Sequence, residues 1–178
     1  MTPPDLLTVG HGRLDEDELA ALLTGEGVDL LVDIRRFPGS RGSPHLRREA
    51  LAEWLPAHGP SYRWEERLGG RRTLPRDQPS PDTWWTVPAF RAYAAHTRTP
   101  EFRSALDELL AEAARRRVAV MCSETVWWRC HRRLVADVAM LAHGFGVRHL
   151  MPNGSPRPHR PADGARVRED GLLVWDGS

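Results

Sequence analysis

The sequence contains no lysine, and all 25 of its basic residues are arginine. Schiff-base chemistry on a lysine amine is therefore excluded. Every fixed cation is a planar, permanently charged fork suited to carboxylate and phosphate. Cysteine is equally scarce. Cys122 and Cys130 are too few for a disulfide framework. Their separation of eight residues matches no standard zinc-ligand pair and no fourth ligand is evident, so neither a metal nor a cofactor is expected. Gly10, Gly12, Gly69 and Gly70 fall into neither a Gly-x-Gly-x-x-Gly fingerprint nor a P-loop. No stretch approaches the roughly 18 uninterrupted apolar residues of a membrane span. Met1 to Val9 lacks a basic region followed by a long apolar run, so no secretory signal is expected and the cytoplasm is the default location. The net charge is only +1, which excludes a strongly basic protein that coats nucleic acid.

What is present suits one folded domain spanning 1–178. The chain has 178 residues, 40% of them hydrophobic, enough to bury a core. Leu6–Val9, Leu30–Ile34, Val118–Cys122 and Val147–Met151 are short apolar runs bounded by Gly or polar residues, which reads as buried strands. Between them, Asp15–Leu23, Arg47–Leu55, Phe90–His96, Glu101–Arg115 and Cys130–His143 carry helical spacing. Gly59–Trp64 reads as a short extended piece, Arg67–Pro81 as a surface excursion and Pro152–Pro161 as a loop. Ala165–Arg168 and Leu172–Trp175 flank Glu169-Asp170-Gly171 as a terminal β-hairpin. Strand, helix and strand within the first 34 residues make a βαβ unit. The fold class is α/β, with a mostly parallel sheet flanked by helices and a C-terminal β-hairpin.

Ligands of open parallel sheets bind outside the carboxyl ends of the strands. The residues that follow each strand are therefore the candidates. The first strand is followed by His11, and the second ends in Asp33 before Arg35 and Arg36. After the third come Cys122, Glu124, Cys130, His131 and Arg132. Glu124 has the chemistry of a general acid/base or nucleophile, with His11 and Asp33 orienting. Arg35, Arg36 and Arg132 match an anion, Cys130 and His131 open a helix whose N-terminus attracts one, and Tyr62 is a hydrogen-bond donor. Seven tryptophans, including the Trp127-Trp128 pair, supply core packing or faces for flat bases.

Several blocks recur in order in one family. They are Thr8-Val9-Gly10-His11, Leu31 to Ser40, Pro44-His45, Tyr62, Leu68-Gly69-Gly70, Phe90 to Tyr93, and Cys122-Ser123-Glu124 through Cys130-His131-Arg132-Arg133. Through them the chain resembles domain-of-unknown-function family 488 from about Val9 to His149, departing at Gly12, where many members carry serine. The resemblance implies a compact α/β domain with a shared polar site and supplies no reaction.

The leading expectation is an enzyme acting on a phosphate-bearing or nucleotide-like ligand by hydrolysis or glycosyl transfer. One alternative is a nucleic-acid-binding module, with arginines on phosphates and tryptophans on unstacked bases. Another is a thiol redox sensor using Cys122 and Cys130. The parallel-sheet reading predicts that His11, Asp33, Arg35, Glu124 and Arg132 line one pocket.

Overall fold

Apolar runs too short for helices form the centre of the molecule. The computed structural model describes residues 4–177 and gathers these runs into a six-stranded sheet. The strands are β1 (Asp5–Gly10), β2 (Leu30–Asp33), β3 (Ser61–Trp64), β4 (Val118–Cys122), β5 (Gly146–Leu150) and β6 (Arg157–Pro158), in spatial order β3-β2-β4-β1-β5-β6. The first five are parallel, and β6 runs antiparallel to β5. The helices are α1 (Glu16–Gly25), α2 (Arg48–Trp54), α3 (Pro88–His96), α4 (Pro100–Ala113) and α5 (Arg132–His143). A separate antiparallel hairpin of β7 (Ala165–Val167) and β8 (Leu173–Trp175) follows. None of the helices is long and apolar enough to cross a membrane among the described residues.

Strand side chains alternate between two cores, as the period of two requires. Leu6, Leu30, Val32, Val118, Val120 and Val147 pack with α3, α4, α5 and the hairpin. Leu7, Val9, Leu31, Ala119, Met121 and Leu150 pack with α1 and α2. A sheet buried on both faces needs continuous apolar strands, which explains why the runs do not alternate with polar residues. Asp15 caps α1 through a reciprocal capping box with Glu18. Pro100 occupies the first turn of α4 behind the Thr99 cap, where its missing N–H costs nothing.

Two boundaries differ from expectation. The Pro152–Pro161 loop contains β6, which has no apolar pattern and pairs because the open edge of β5 offers backbone groups. Pro158 is tolerated there because an edge strand need not donate on both sides. The last helix begins at Arg132 rather than Cys130. Trp127–Arg129 form a 3-10 turn and Cys130 is extended, with φ −126° and ψ 152°.

The chain leaves adjacent strand ends toward opposite faces. After β1 and β2 it enters α1 and α2 on one side, and after β4 it enters α5 on the other. Such divergence opens a crevice at the strand ends.

A buried polar chain ties β1 to the C-terminal hairpin. Arg132 Nη1 donates to Thr8 Oγ1 (2.9 Å), and the Thr8 hydroxyl donates to His149 Nδ1 (2.5 Å). His149 Nε2 donates to His159 Nδ1 (2.8 Å), and His159 Nε2 donates to Asp137 Oδ1 (2.6 Å). Trp175 Nε1 donates to Asp137 Oδ2 at 2.9 Å. Trp127 stacks on His149, with ring centroids 4.5 Å apart and planes 4° from parallel. The network needs neutral imidazoles. Burial, reinforced by the neighbouring His159 ring and the Arg132 charge, pushes His149 from its ordinary 6.5 down to about 2. Burial also lowers His11, His96 and His131.

The unfolded chain therefore takes up protons first, and stability present above pH 6.5 is lost as pH falls below it. At about pH 5.5 His149 alone is expected to cost about 1.4 kcal/mol relative to about pH 8, with the other three acting in the same direction. Urea unfolding at the two pH values measures this, and equal stabilities would contradict buried neutral imidazoles.

Candidate functional site

The crevice at the ends of β1, β2 and β4 holds a cavity of about 270 Å³. Its wall includes His11 after β1, Arg35, Arg36 and Phe37 after β2, and Cys122 at the end of β4. Cys130 and His131, ahead of α5, and Gly70 and Arg71, from the loop after β3, are also part of it, as are Ser40 and Ser123. Three guanidinium-bearing residues thus meet in a lining that contains no carboxylate among the described residues.

The firmest part of this wall is an ion pair. Arg35 donates from Nε to Asp33 Oδ1 (2.9 Å) and from Nη2 to Asp33 Oδ2 (2.7 Å), a bidentate match. Asp33 is fully buried and Arg35 is 7% exposed. Buried charges are tolerable only when their remaining hydrogen-bonding capacity is filled. Tyr62 donates to Asp33 Oδ2 (2.6 Å), Arg35 Nη2 also donates to the Leu46 carbonyl (2.7 Å), and Arg35 Nη1 reaches His11 Nε2 (3.3 Å). Burial works against the Arg35 cation, but Asp33 more than compensates and leaves its pKa raised. Burial and the Asp33 charge push the Tyr62 phenol well above its ordinary range, so it remains a donor. His11 Nδ1 donates to the Gly12 carbonyl (3.0 Å), leaving Nε2 as the acceptor, and burial holds the ring neutral.

Glycines let the surrounding segments close. A Cβ at Gly10 would collide with the Glu124 carbonyl, so β1 can run under the loop after β4. A Cβ at Gly69 would lie 2.6 Å from Arg36 Cα, and one at Gly70 would lie 2.9 Å from His131 Nδ1. The segment therefore packs directly on Arg36 and the imidazole. Arg71, which follows, has φ 57°, a left-handed conformation uncommon for a side-chain-bearing residue and often found where a site is built.

Of the residues predicted to share a pocket, His11 and Arg35 line it, together with Arg36, Cys130 and His131. Asp33 and Tyr62 stand behind the wall and fix Arg35. Arg132 does not reach the cavity lining. It is fully buried, and its Nη2 donates to the carbonyls of Glu124 (2.9 Å) and Thr125 (2.8 Å). Glu124 is exposed and its side chain is outside the lining, so its contact with the site is through its backbone. The loop leaves it there because Arg132 draws the carbonyls inward and turns the side chain to solvent. Trp127 and Trp128 likewise lie away from the cavity, one stacked on His149 and the other 45% exposed. Phe37 and Arg71 escaped the sequence reading. Phe37 is 60% exposed at the cavity, with Arg36 and Arg71 over its ring at 5.3 and 5.7 Å. The signal was an aromatic residue directly after two arginines at a strand end. Among the described residues no group of three or more His, Cys, Asp or Glu is placed to hold a metal ion.

Fold and site together define an α/β protein with an arginine-walled cavity at the carboxyl edge of a parallel sheet. The chain belongs to the family described as Domain of unknown function DUF488, whose model matches residues 16–139 of the 178. That span is narrower than the stretch from Val9 to His149 and leaves out β1 with His11. Neither a curated protein nor a solved structure matches the chain.

Asp33→Asn would leave the Arg35 cation buried with half a partner, and a loss of about 3–5 kcal/mol is expected in chemical denaturation. Tyr62→Phe removes one hydrogen bond to the same carboxylate and should cost about 1–3 kcal/mol. Near-neutral outcomes for both would mean that the ion pair does not hold the wall.

Proposed function

We propose that the cavity binds a small phosphate-bearing, nucleotide-like molecule and that the protein is an enzyme acting on it. The observation that carries this reading is the wall itself, with Arg35, Arg36 and Arg71 and no carboxylate in the lining. Arg35 is already neutralised by Asp33, so it contributes a fixed hydrogen-bonding edge more than a free charge. Arg36 and Arg71 supply the charge. Arg36 Nη1 donates to the Arg71 carbonyl (2.7 Å), which holds the two residues together at the cavity. Phe37 offers an exposed face for a planar ring beside those cations. The cavity volume of about 270 Å³ lies just below the common range for ligand sites, roughly 300–1,000 Å³. It suits a monophosphate better than a dinucleotide.

Proton transfer in hydrolysis or glycosyl transfer on such a ligand falls to His11. Its neutral imidazole lines the cavity, whereas the Glu124 side chain does not. Arg35 would hold His11 and the phosphate in one frame.

Thermal unfolding with nucleoside monophosphates, the matching nucleosides, inorganic phosphate and oligonucleotides tests the reading. A monophosphate at about 100 times its Kd should stabilise by about 2.7 kcal/mol, raising Tm by about 5–10 °C in a chain of this size. The nucleoside should do much less. Arg71 is exposed, so Arg71→Gln should leave the fold intact and weaken monophosphate binding by about 10-fold. No shift with any phosphate compound would overturn the proposal. Steeply salt-dependent oligonucleotide binding, unchanged by Arg71→Gln, would move the function to nucleic-acid binding.

A further inference from the structure

The anion-binding reading does not use the sulfur atoms of the cavity. Cys122, at the end of β4, and Cys130, before α5, are both free thiols, and both line the same wall although they are eight residues apart. The loop between them is folded back by Arg132, which grips the carbonyls of Glu124 and Thr125. This places both thiols in the wall of one cavity, near enough for each to shift the other's ionisation.

The neighbours of the two sulfurs differ. Cys122 Sγ donates to the Glu124 carbonyl at 3.6 Å. Cys130 Sγ lies 3.5 Å from His131 Nδ1. The His131 ring is oriented from its far side, where Nε2 donates to the Ile34 carbonyl at 2.9 Å. That bond puts the ring proton on Nε2 and leaves the Nδ1 lone pair facing Cys130. Thiol, imidazole and orienting carbonyl form the arrangement of a nucleophile, its base and the group that fixes the base.

The charged and titratable groups facing Cys130 are Cys122 from β4, His131 just ahead of α5, Arg132 from α5, and Tyr93 from α3. Burial alone would raise the Cys130 thiol. The neighbouring Cys122 thiol and the nearby Arg132, through its charge and its N–H groups, outweigh it and leave the thiol below its ordinary range. Burial, reinforced by Cys130, raises Cys122 well above that range. Two adjacent thiols of opposite tendency divide naturally into attacking and resolving roles.

We infer that Cys130 and Cys122 are a redox-active dithiol, with Cys130 the nucleophile, His131 its base and Cys122 the resolving thiol, acting on a small anionic disulfide that enters the cavity. Cys130 gives its proton to His131 Nδ1, and its sulfur attacks one sulfur of R–S–S–R. The S–S bond of the substrate breaks, and the departing R–S⁻ takes the proton from His131. Cys122 then passes its proton to the same nitrogen and attacks the Cys130 sulfur of the mixed disulfide. The second R–S⁻ leaves with that proton. Both electrons and both protons come from the two cysteines, which end as a Cys122–Cys130 disulfide, while R–S–S–R becomes two R–SH. The second thiol in the same wall favours this chemistry over phosphoryl transfer to Cys130, in which Cys122 would have no role. The anionic character of the substrate rests on the anion-binding reading, whereas the dithiol stands on the sulfur geometry.

The full chain is treated with 5,5′-dithiobis(2-nitrobenzoate), a dianionic disulfide, and with cystamine, a dicationic one. Each rate is divided by that reagent's rate with a free small thiol. Peptide mass mapping after a rapid acid quench should find the first adduct on Cys130, and at longer times the chain should be an internal disulfide with no adduct retained. Cys122→Ser should trap one stable adduct on Cys130, and Cys130→Ser should react about 10-fold or more slowly. The wild-type mapping does not depend on either variant folding. Two retained adducts on the wild type, or a first adduct on Cys122, would overturn the dithiol. The normalised rate should favour the dianion by about 10-fold and fall when inorganic phosphate is added. An internal disulfide formed without charge preference would overturn the anionic substrate, and the anion-binding reading with it, while leaving the dithiol in place.

Discussion

The bidentate contact between Asp33 and Arg35 is the interaction on which the cavity depends. A carboxylate at the end of a central strand, covered on both faces, cannot be solvated and must be paired inside the protein. Arg35, two residues on, turns back to meet it, and the turn fixes where the chain after β2 goes. Tyr62 from the neighbouring strand and the carbonyl of Leu46 complete the pair, so β3 and the segment before α2 are held to the same point. Trp64 adds a further restraint by donating to the Arg35 carbonyl at 2.7 Å. A wall determined by so many contacts can present His11 and one edge of Arg35 to the cavity with little freedom.

The arginines that converge on this edge have been divided between fold and surface. Arg132 is turned inward, with both terminal nitrogens bonded to Thr8 and to two loop carbonyls. Arg35 is mostly consumed by Asp33. Arg36 and Arg71 retain donor capacity at the cavity. The same Arg132 begins the chain through Thr8, His149 and His159 to Asp137, which also receives the Trp175 indole of the hairpin. A single buried guanidinium therefore links the loop beneath the cavity to the C-terminus of the fold. Replacing it with Lys would lose this reach, because an ammonium lacks the planar fork that bonds three oxygens in different directions.

Close approach sets the shape of what remains. Gly69 and Gly70 were visible as a pair in the sequence, but their use is steric. They allow a loop to lie against Arg36 and His131, and they deliver Arg71 to the rim in a left-handed conformation. Gly10 does the same for the loop carrying Glu124.

The sequence by itself determined the layered fold. Apolar runs of four or five residues, separated by helical patterns, are best satisfied by a parallel sheet covered on both sides, and β1, β2, β4 and β5 lie where those runs predict. It also determined which edge gathers the polar and ionisable residues, because they follow each strand in the same direction along the chain. The tertiary structure decided which of those residues face the cavity. Glu124 and Arg132 are eight residues apart, and nothing in their local pattern shows that the guanidinium binds the glutamate's own carbonyl and leaves its carboxylate in solvent. Nor does spacing show that Cys122 and Cys130 line one cavity, or that Arg71 comes across from the loop after β3 to stand beside Arg36. Burial and hydrogen-bond satisfaction are settled between segments distant in sequence, and a periodic pattern records only which side of its own element a residue occupies.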